Sequence, residues 1–532
     1  MDCSIDYLPY ETTGFFAKIV VDYLQQAEAL QPFFEHEPTR EGVRKSIEAR
    51  KNFVTDRSLL VQSLNEQYKG IPLAEKVKTN IALLEKDHVF TVTTAHQPNI
   101  FTGPLYFIYK ILHAVKLAEE LGKQFPDNGF VPVYYMGSED ADLDELGYIN
   151  VGGQKLVWQT PQTGAVGRMK VDKAFLLIIH AIEGQIAVLP YGNELISLFK
   201  KCYTEGKSIQ QATLELVNEL FESFGVVVVV PDSAALKSAF SKTITKELSE
   251  GFSHQLVEQT AAALSVNYKV QTAGRPVNLF YLIDDKRERI ELEGDLYTVQ
   301  ALNISFTKEA MLTELREHPE RFSPNVILRG VFQETILPNI VFIGGGGELA
   351  YWLELKNVFK AVNVPFPLLA IRNSFLFVEK DQHERVLKLK LNTTDLFTDT
   401  TALINAMVKA HSTNQLVLTA ELAEANAFYE KLQALAGAID HTLTDHVISL
   451  KSKSLKKLND LEKKMLRAEK DKFETTIQQI TQIKSALFPG NSLQERHDNF
   501  SLLYAKYGND WIRTIYDSSE GLKQQFGIIY AS

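Results

Sequence analysis

Residues 88–140 constrain the fold of this chain more than any other stretch. His88-Val-Phe-Thr-Val-Thr-Thr-Ala95 is dense in β-branched residues and reads as a strand. Pro104 then stands where a first helical turn accepts it, and Leu105, Ile108, Leu112 and Val115 recur at spacings of three and four. Gly122 suits the end of a helix of about 18 residues. Phe130-Val-Pro-Val-Tyr-Tyr-Met136 is a second strand, ending in Gly-Ser-Glu-Asp. Strand, helix, strand predicts parallel pairing with a right-handed crossover. Further elements continue it: a helix over 209–224, a buried strand over 226–230 between Gly225 and Pro231, and a strand over 340–343 running into four glycines. A helix over 348–362 and a strand over 366–371 follow. The expected class is α/β, with a Rossmann-like parallel sheet.

Other stretches carry different periods. Residues 1–87 read as mostly helical, with Phe15, Ile19, Val20, Tyr23 and Leu24 at helical spacing. Two segments, about 148–180 and 265–320, read as insertions into the α/β core. The second holds an expected hairpin of 278–283 with 289–297 around Asp284-Asp285-Lys286. Residues 381–490 are helical, and Val447, Leu450, Leu458, Leu461, Met465, Phe473, Ile477 and Ile480 form an imperfect heptad seam for an antiparallel helical hairpin or coiled coil. Residues 451–472 carry nine basic and four acidic side chains, the pattern of a solvated helix face. The expected organisation is therefore a core over 1–380, a helical domain over 381–490, and a segment over 491–532 returning to the core.

Composition narrows the class. No apolar run approaches the ~20 residues that span a bilayer, and the first residues lack the basic and apolar regions of a secretory signal. Cys3 and Cys202 are too few for a disulfide framework or a thiolate metal site, so the expected location is cytoplasmic and no metal site is expected. A formal charge of −10 disfavours non-specific nucleic-acid binding.

Ligands of open parallel sheets bind outside the carboxyl ends of the strands, and three loops put polar residues there. Thr94-Ala-His-Gln-Pro-Asn-Ile-Phe-Thr-Gly-Pro104 offers His96, Asn99, Thr102 and Gly103 beside a helix start, which suits a phosphate or a developing negative charge. The second loop packs Glu139, Asp140, Asp142, Asp144 and Glu145 together, a repulsion that a substrate ammonium group, a hydroxyl-rich sugar or a divalent ion would relieve, unless the acids simply dress a helix N-terminus. Glu139 and Asp140 lie nearest the strand end. In the third, Gly344, Gly345, Gly346 and Gly347 precede Glu348, Tyr351 and Trp352, so backbone can approach a ligand closely. Arg372 and Asn373 extend that rim, and Arg329 is a weaker candidate of the same kind. The glycine run matches neither the Walker A nor the GxGxxG pattern. Lys451-Ser-Lys-Ser454 lies in the helical seam and is set aside.

These residues resemble a family, the bacillithiol biosynthesis cysteine-adding enzymes, which are cysteine ligases. The likeness runs through His96-Gln-Pro-Asn-Ile-Phe-Thr-Gly-Pro-Leu-Tyr106, Tyr109-Lys110, Glu139-Asp-Ala-Asp142, Pro324-Asn-Val-Ile-Leu-Arg329 and Gln494-Glu-Arg496. Its most distinctive piece is Gly344-Gly-Gly-Gly-Glu-Leu-Ala-Tyr-Trp-Leu-Glu-Leu-Lys356. The resemblance implies a core similar to class I nucleotidyl-transferases, with inserted connective segments and a coiled coil that mediates homodimerisation. The implied reaction joins the carboxyl of L-cysteine to the amine of glucosaminyl-malate. The chain departs from the family at Ala95-His96-Gln97 (usually Gly-Gln-Gln), at Ala141 (usually His), and in glycines that a proline often interrupts.

A free carboxylate does not acylate an amine, so the acid needs activation, most simply as an adenylate formed from ATP with Mg²⁺, although the resemblance itself leaves the mode of activation and the need for a cofactor open. His96, Glu139 and Asp140 are the expected catalytic residues, a carboxylate taking the amine proton. Asn99, Thr102, Gly103, Asp142, Gly344–Gly347, Glu348, Tyr351, Trp352, Arg372 and Asn373 are the expected substrate- or nucleotide-binding set. The chemistry leaves two other readings open: a non-catalytic sugar- or nucleotide-binding scaffold, and an ATP-dependent ligase for another amino acid and amino sugar.

Overall fold

Five parallel strands form the centre of the α/β unit in a computed structural model that describes residues 1–271 and 274–532. Across the sheet they run Leu368–Ile371, Asn339–Gly344, Val89–His96, Gly129–Met136 and Val227–Val229. All four neighbouring pairs are parallel, as the strand–helix–strand pattern requires. In chain order the first strand sits beside the second on one side and the fourth on the other. The order therefore reverses between Val89–His96 and Asn339–Gly344, the position where open sheets bind ligands.

The helix after the first strand, Tyr106–Gln124, buries most of its length. Its Ala114, Leu117, Ala118 and Leu121 join Val43 and Ile47 of the Arg40–Lys51 helix and Phe90, Val92, Ile340, Val341, Ile343 and Leu368 of the sheet in one core cluster. The helix runs through Gly122 rather than ending before it. A Cβ there would meet nothing within 4 Å, so the position is unconstrained by packing.

The structure departs from other expectations. Cys3–Leu8 is a strand, not part of a helical start: it pairs antiparallel with Phe526–Ala531, which in turn neighbours Ser374–Val378. A partner more than 500 positions away decides this element, and local periodicity does not report it. The hairpin strand Leu279–Ile283 pairs with Lys286–Arg289, and Glu291–Glu293 pairs instead with Leu296–Val299. The expected insertion over 265–320 includes Thr272 and Ala273, which lie outside the described residues. The expected helix over 348–362 divides into Gly346–Trp352 and Lys356–Ala361. Trp352 stacks on Phe342 at 4.2 Å and Phe359 packs near it, so side-chain packing overrides helical continuity.

The chain divides into two compact units, Met1–Phe377 with Ser492–Ser532, and Val378–Asn491. The second contains the long helices Thr419–Ile439 and Thr442–Lys470, joined by a short turn and packed along each other. Leu403, Ile404, Val408, Leu416 and Ile480 form its small core, with Met465, Phe473 and Ile477 against it. Two seam residues fall outside the buried stripe, Leu450 at 42% exposure and Leu461 at 46%. One packed neighbour buries only one stripe of a helix.

Candidate functional site

The carboxyl ends of the central strands open into a two-lobed cavity. One lobe of about 520 Å³ is lined by Ser138, Glu139, Asp140, Arg275, Arg287, Arg289, Pro324 and Asn325 among others. The second, of about 530 Å³, is lined by Ala95, His96, Tyr106, Glu145, Gly345, Gly346, Gly347, Glu348, Arg372 and Arg496. Gln97, Tyr135, Gly137, Gln271, Arg329 and Tyr351 line both lobes. The second lobe lies at the topological switch point, since His96 and Gly344 end the two strands that flank it.

In the first lobe the two adjacent acids are treated differently by the fold. Glu139 is buried and ion-paired to the buried Lys237, and it accepts a hydrogen bond from Ser323 Oγ at 3.1 Å. Lys237 also lies 3.4 Å from Asp232, which accepts two 2.7 Å bonds from Arg168. That chain of alternating charge neutralises Glu139. Asp140 is only half-buried; Gln97 Nε2 donates to it at 3.3 Å and the Asp142 N–H at 3.2 Å. No cation pairs with Asp140 among the described residues, and its carboxylate faces the cavity with capacity to accept a proton.

Cations dominate the rest of that lobe. Arg287 lies over the Phe280 ring at 3.9 Å and donates to Ser323 Oγ at 3.0 Å. Burial pulls its pKa down, and Glu139 and Asp140 act in the opposite direction. Arg275 and Arg289 are exposed on the same lobe. None of these three guanidiniums has an ion-pair partner among the described residues. A wall with three such groups attracts an anionic ligand.

The second lobe is held by buried pairs. Lys110, on the Tyr106–Gln124 helix, is buried, donates to the Ala95 carbonyl at 2.6 Å and pairs with Glu348 at 2.5 Å. Glu348 in turn accepts from the Gly345 N–H at 2.8 Å, so one lysine ties the first strand end to the glycine loop. Gly344 is required by space, because a Cβ there would fall 2.9 Å from the Phe342 ring. Arg372 binds Glu495 through two bonds of 2.7 and 2.8 Å, and its guanidinium lies 5.0 Å from the Tyr106 ring centre. His96 packs its ring against Tyr106 and Phe107. Burial first, then Lys110, Arg329 and Arg372, holds the imidazole well below its usual range, so it is neutral at physiological pH. Its Nε2 has no hydrogen-bond partner among the described residues. Glu145 shifts upward through burial and the neighbouring Asp140 and Asp142.

His96, Gly345, Gly346, Gly347, Glu348, Tyr351 and Arg372 thus meet in one lobe, and Glu139 and Asp140 stand in the other. Asn99, Thr102 and Gly103 do not line the cavity. They form the turn beneath it, where Phe101, Thr102 and Gly103 all have positive φ and Asn499 donates to the Phe101 and Gly103 carbonyls at 2.8 and 2.6 Å. Asp142 caps a short helix through the Glu145 N–H, Trp352 is core, and Asn373 is buried against His113 and Glu520. Arg275, Arg287 and Arg289 lie outside the expected site set, and so do Gln97, Lys110 and Arg496, which belong to the motifs of the family resemblance but carried no expected role there. Of these, Lys110 alone left a local signal, a lysine within an otherwise apolar helix stripe.

The bacillithiol biosynthesis BshC N-terminal Rossmann-like domain matches residues 3–373, and the BshC C-terminal coiled-coil domain matches residues 375–531. A relative from Flavobacterium johnsoniae is 40% identical, covering 98% of this chain and 99% of its own length. One from Christiangramia forsetii is 37% identical over 98% of each chain, and one from Natranaerobius thermophilus is 27% identical over 94% of this chain and 95% of its own. Each of the three bears the name "Putative cysteine ligase BshC".

Proposed function

The chain belongs to the bacillithiol biosynthesis BshC family, and from that premise we propose that it is a ligase joining the carboxyl of L-cysteine to the amine of glucosaminyl-malate. The observation that carries this reading is the first lobe, where three guanidiniums without ion-pair partners stand around the unpaired carboxylate of Asp140. The malate end of the acceptor carries two carboxylates that Arg275, Arg287 and Arg289 would hold, bringing its amine toward Asp140. An amine attacks only when neutral, and Asp140 would take its proton. Glu139, neutralised by Lys237, would shape the lobe rather than move a proton.

Cysteine would occupy the second lobe at the switch point. Its carboxyl needs activation, and the reagent of this reading is ATP with Mg²⁺. Lys110 and Arg372 are already paired with Glu348 and Glu495, whereas Arg496 has no ion-pair partner among the described residues. Arg496 and the open backbone at Gly347 are the groups that fit phosphate oxygens, and Glu145 is the carboxylate that fits a cation beside them. His96, being neutral, is suited to hydrogen bonding through Nε2 rather than to ionic binding.

A homodimer through the helical unit belongs to the same reading. Phe428, Leu435 and Ile439 on one long helix, and Leu443, Leu450 and Leu461 on the next, recur at intervals of four, seven and eleven and are exposed in the single chain. Among the described residues no helix is long and apolar enough to cross a membrane.

The decisive experiment incubates the purified protein with L-cysteine, glucosaminyl-malate and ATP, and identifies thiol product and AMP or ADP by mass spectrometry. Absence of amide product under all conditions would sink the ligase reading in favour of a binding scaffold; product with a different amino acid would redirect it. Arg287→Met should raise the KM for glucosaminyl-malate by about tenfold or more, the worth of one charge-assisted bond, with little change for cysteine. Both cysteines should be dispensable. Burial pushes the Cys202 thiol up to about 12, Cys3 is also raised, and neither lines the cavity. A Cys3→Ser, Cys202→Ser double variant that lost turnover while folded would assign one of them a role.

A further inference from the structure

Two substrates in two lobes can react only where the lobes meet. The common wall consists of Gln97, Tyr135, Gly137, Gln271, Arg329 and Tyr351, and Arg329 is the cation among them. Arg329 stands on the first turn of the Val326–Ile336 helix, whose N-terminus Asn325 caps through the Ile327 N–H at 2.9 Å. The helix therefore fixes the guanidinium by a rigid element rather than a loop. The guanidinium lies against Gly137, where a Cβ would meet Arg329 Nη1 at 3.4 Å, an ordinary contact.

The guanidinium makes no direct ion pair among the described residues. Arg329 has one side-chain partner, the Tyr351 hydroxyl at 3.5 Å, and no carboxylate within ion-pairing distance among the described residues. Burial works against its charge, but Tyr351 and Asp140 outweigh it and raise its pKa. Elsewhere on the cavity wall Lys110 holds Glu348, Arg372 holds Glu495 and Arg287 donates to Ser323, while Arg275, Arg289 and Arg496 also lack an ion-pair partner among the described residues; Arg329 differs from all of these in standing where the two lobes meet. Asp140 helps to keep the guanidinium charged without pairing with it directly, so its N–H groups remain free to meet an anion. At the junction of the lobes, the anion that arrives is the one the reaction creates.

We propose that Arg329 is the oxyanion-stabilising catalytic residue of the ligation, its guanidinium meeting the acyl oxygen where the contents of the two lobes come together. This rests on the ligase reading above. The amine nitrogen attacks the activated acyl carbon and a C–N bond forms. The carbonyl π pair moves onto oxygen, and Arg329 meets that charge. Asp140 accepts the proton released from nitrogen. The oxyanion then restores the C=O bond and expels the phosphate-type leaving group, supplied by a nucleoside triphosphate, with its bonding pair. A preorganised donor that gains strength only as charge develops accelerates the step without tightening ground-state binding.

The test compares wild type, R329M and R329K in full-length protein, with thermal melts for folding, calorimetric Kd for each substrate, and kcat for amide formation. R329M should lower kcat by about 100-fold or more while both Kd values stay within about threefold. R329K, which keeps the charge but loses the planar fork, should fall between, and added guanidinium ion should restore rate to R329M but not accelerate wild type. R329M with kcat within about threefold of wild type overturns the proposal, as does a loss carried entirely by a weaker Kd for one substrate. If R329M does not fold, R329K is judged by the same kcat and Kd criteria. Wild-type protein that yields no amide overturns the ligase reading and this role with it, whereas normal wild-type turnover beside an undiminished variant overturns Arg329 alone.

Discussion

Asp140→Asn lowers kcat for amide formation by about 100-fold or more, the usual cost of losing a positioned general base. The substitution keeps size and planarity, and the Asn Oδ1 can still accept from the Asp142 N–H while its Nδ2 can donate to Gln97 once that side-chain amide turns over, so the loop geometry and melting temperature should change little. What disappears is the basic lone pair. The defect should therefore shrink as pH rises, because the acceptor amine then sheds its proton in bulk water without help. A pH–rate profile of wild type and variant checks this. A constant ratio between them across the range would remove Asp140 as the base and leave it a positioning role. The neighbouring acid gives the contrast. Glu139→Gln leaves Lys237 with Asp232 as its remaining carboxylate, which Lys237 must then share with Arg168, so the first effect of the change should fall on stability. Two acids adjacent in sequence are thus expected to fail in different ways.

That contrast marks where sequence reading stops. The strand, helix and strand of residues 89–136 were legible because each has its own short period and sits next to its partner in the chain. The position of the cavity followed, since parallel strands place their carboxyl ends together, and the loops after His96, Met136 and Gly344 do meet there. The division of labour within the cavity was not legible. Lys237 neutralises Glu139 from another part of the chain, and no local pattern around either residue announces the pairing. Arg287 and Arg289 look like ordinary surface charges on a hairpin until the hairpin's register turns them toward the lobe. His96 was readable as a polar group at a strand end, but its neutrality depends first on burial and then on Lys110, Arg329 and Arg372 near it in space. The strand at Cys3–Leu8 shows the same limit for the fold: its pattern is short, and only the distant Phe526–Ala531 strand gives it an edge to pair with.

Glu495→Gln should destabilise the α/β unit by about 3–5 kcal/mol, the cost of leaving one member of a buried ion pair without its counter-charge. Arg372 has 4% of its side chain exposed and Glu495 has none, and their two bonds of 2.7 and 2.8 Å leave little freedom to relax. Glu495 also accepts from the Phe375 N–H at 3.3 Å, so the change weakens the edge of the Ser374–Val378 strand as well. Gln can keep some of these bonds but cannot balance a guanidinium. Denaturant unfolding should show a lower midpoint with an unchanged m-value, because the native surface is the same. Arg372→Met alone should be comparably costly, and the double variant should recover part of the loss, since neither charge is then stranded. Independent, additive losses would mean that the two residues are not coupled. The pair matters beyond stability because Arg372 also lines the second lobe and lies over Tyr106 beside His96. A stranded Arg372 would seek another carboxylate, and Glu348 and Glu145 line the same lobe. Turnover in folded Glu495→Gln protein should therefore fall further than the population of folded molecules predicts, which activity per folded molecule, read at a temperature well below the transition, will measure.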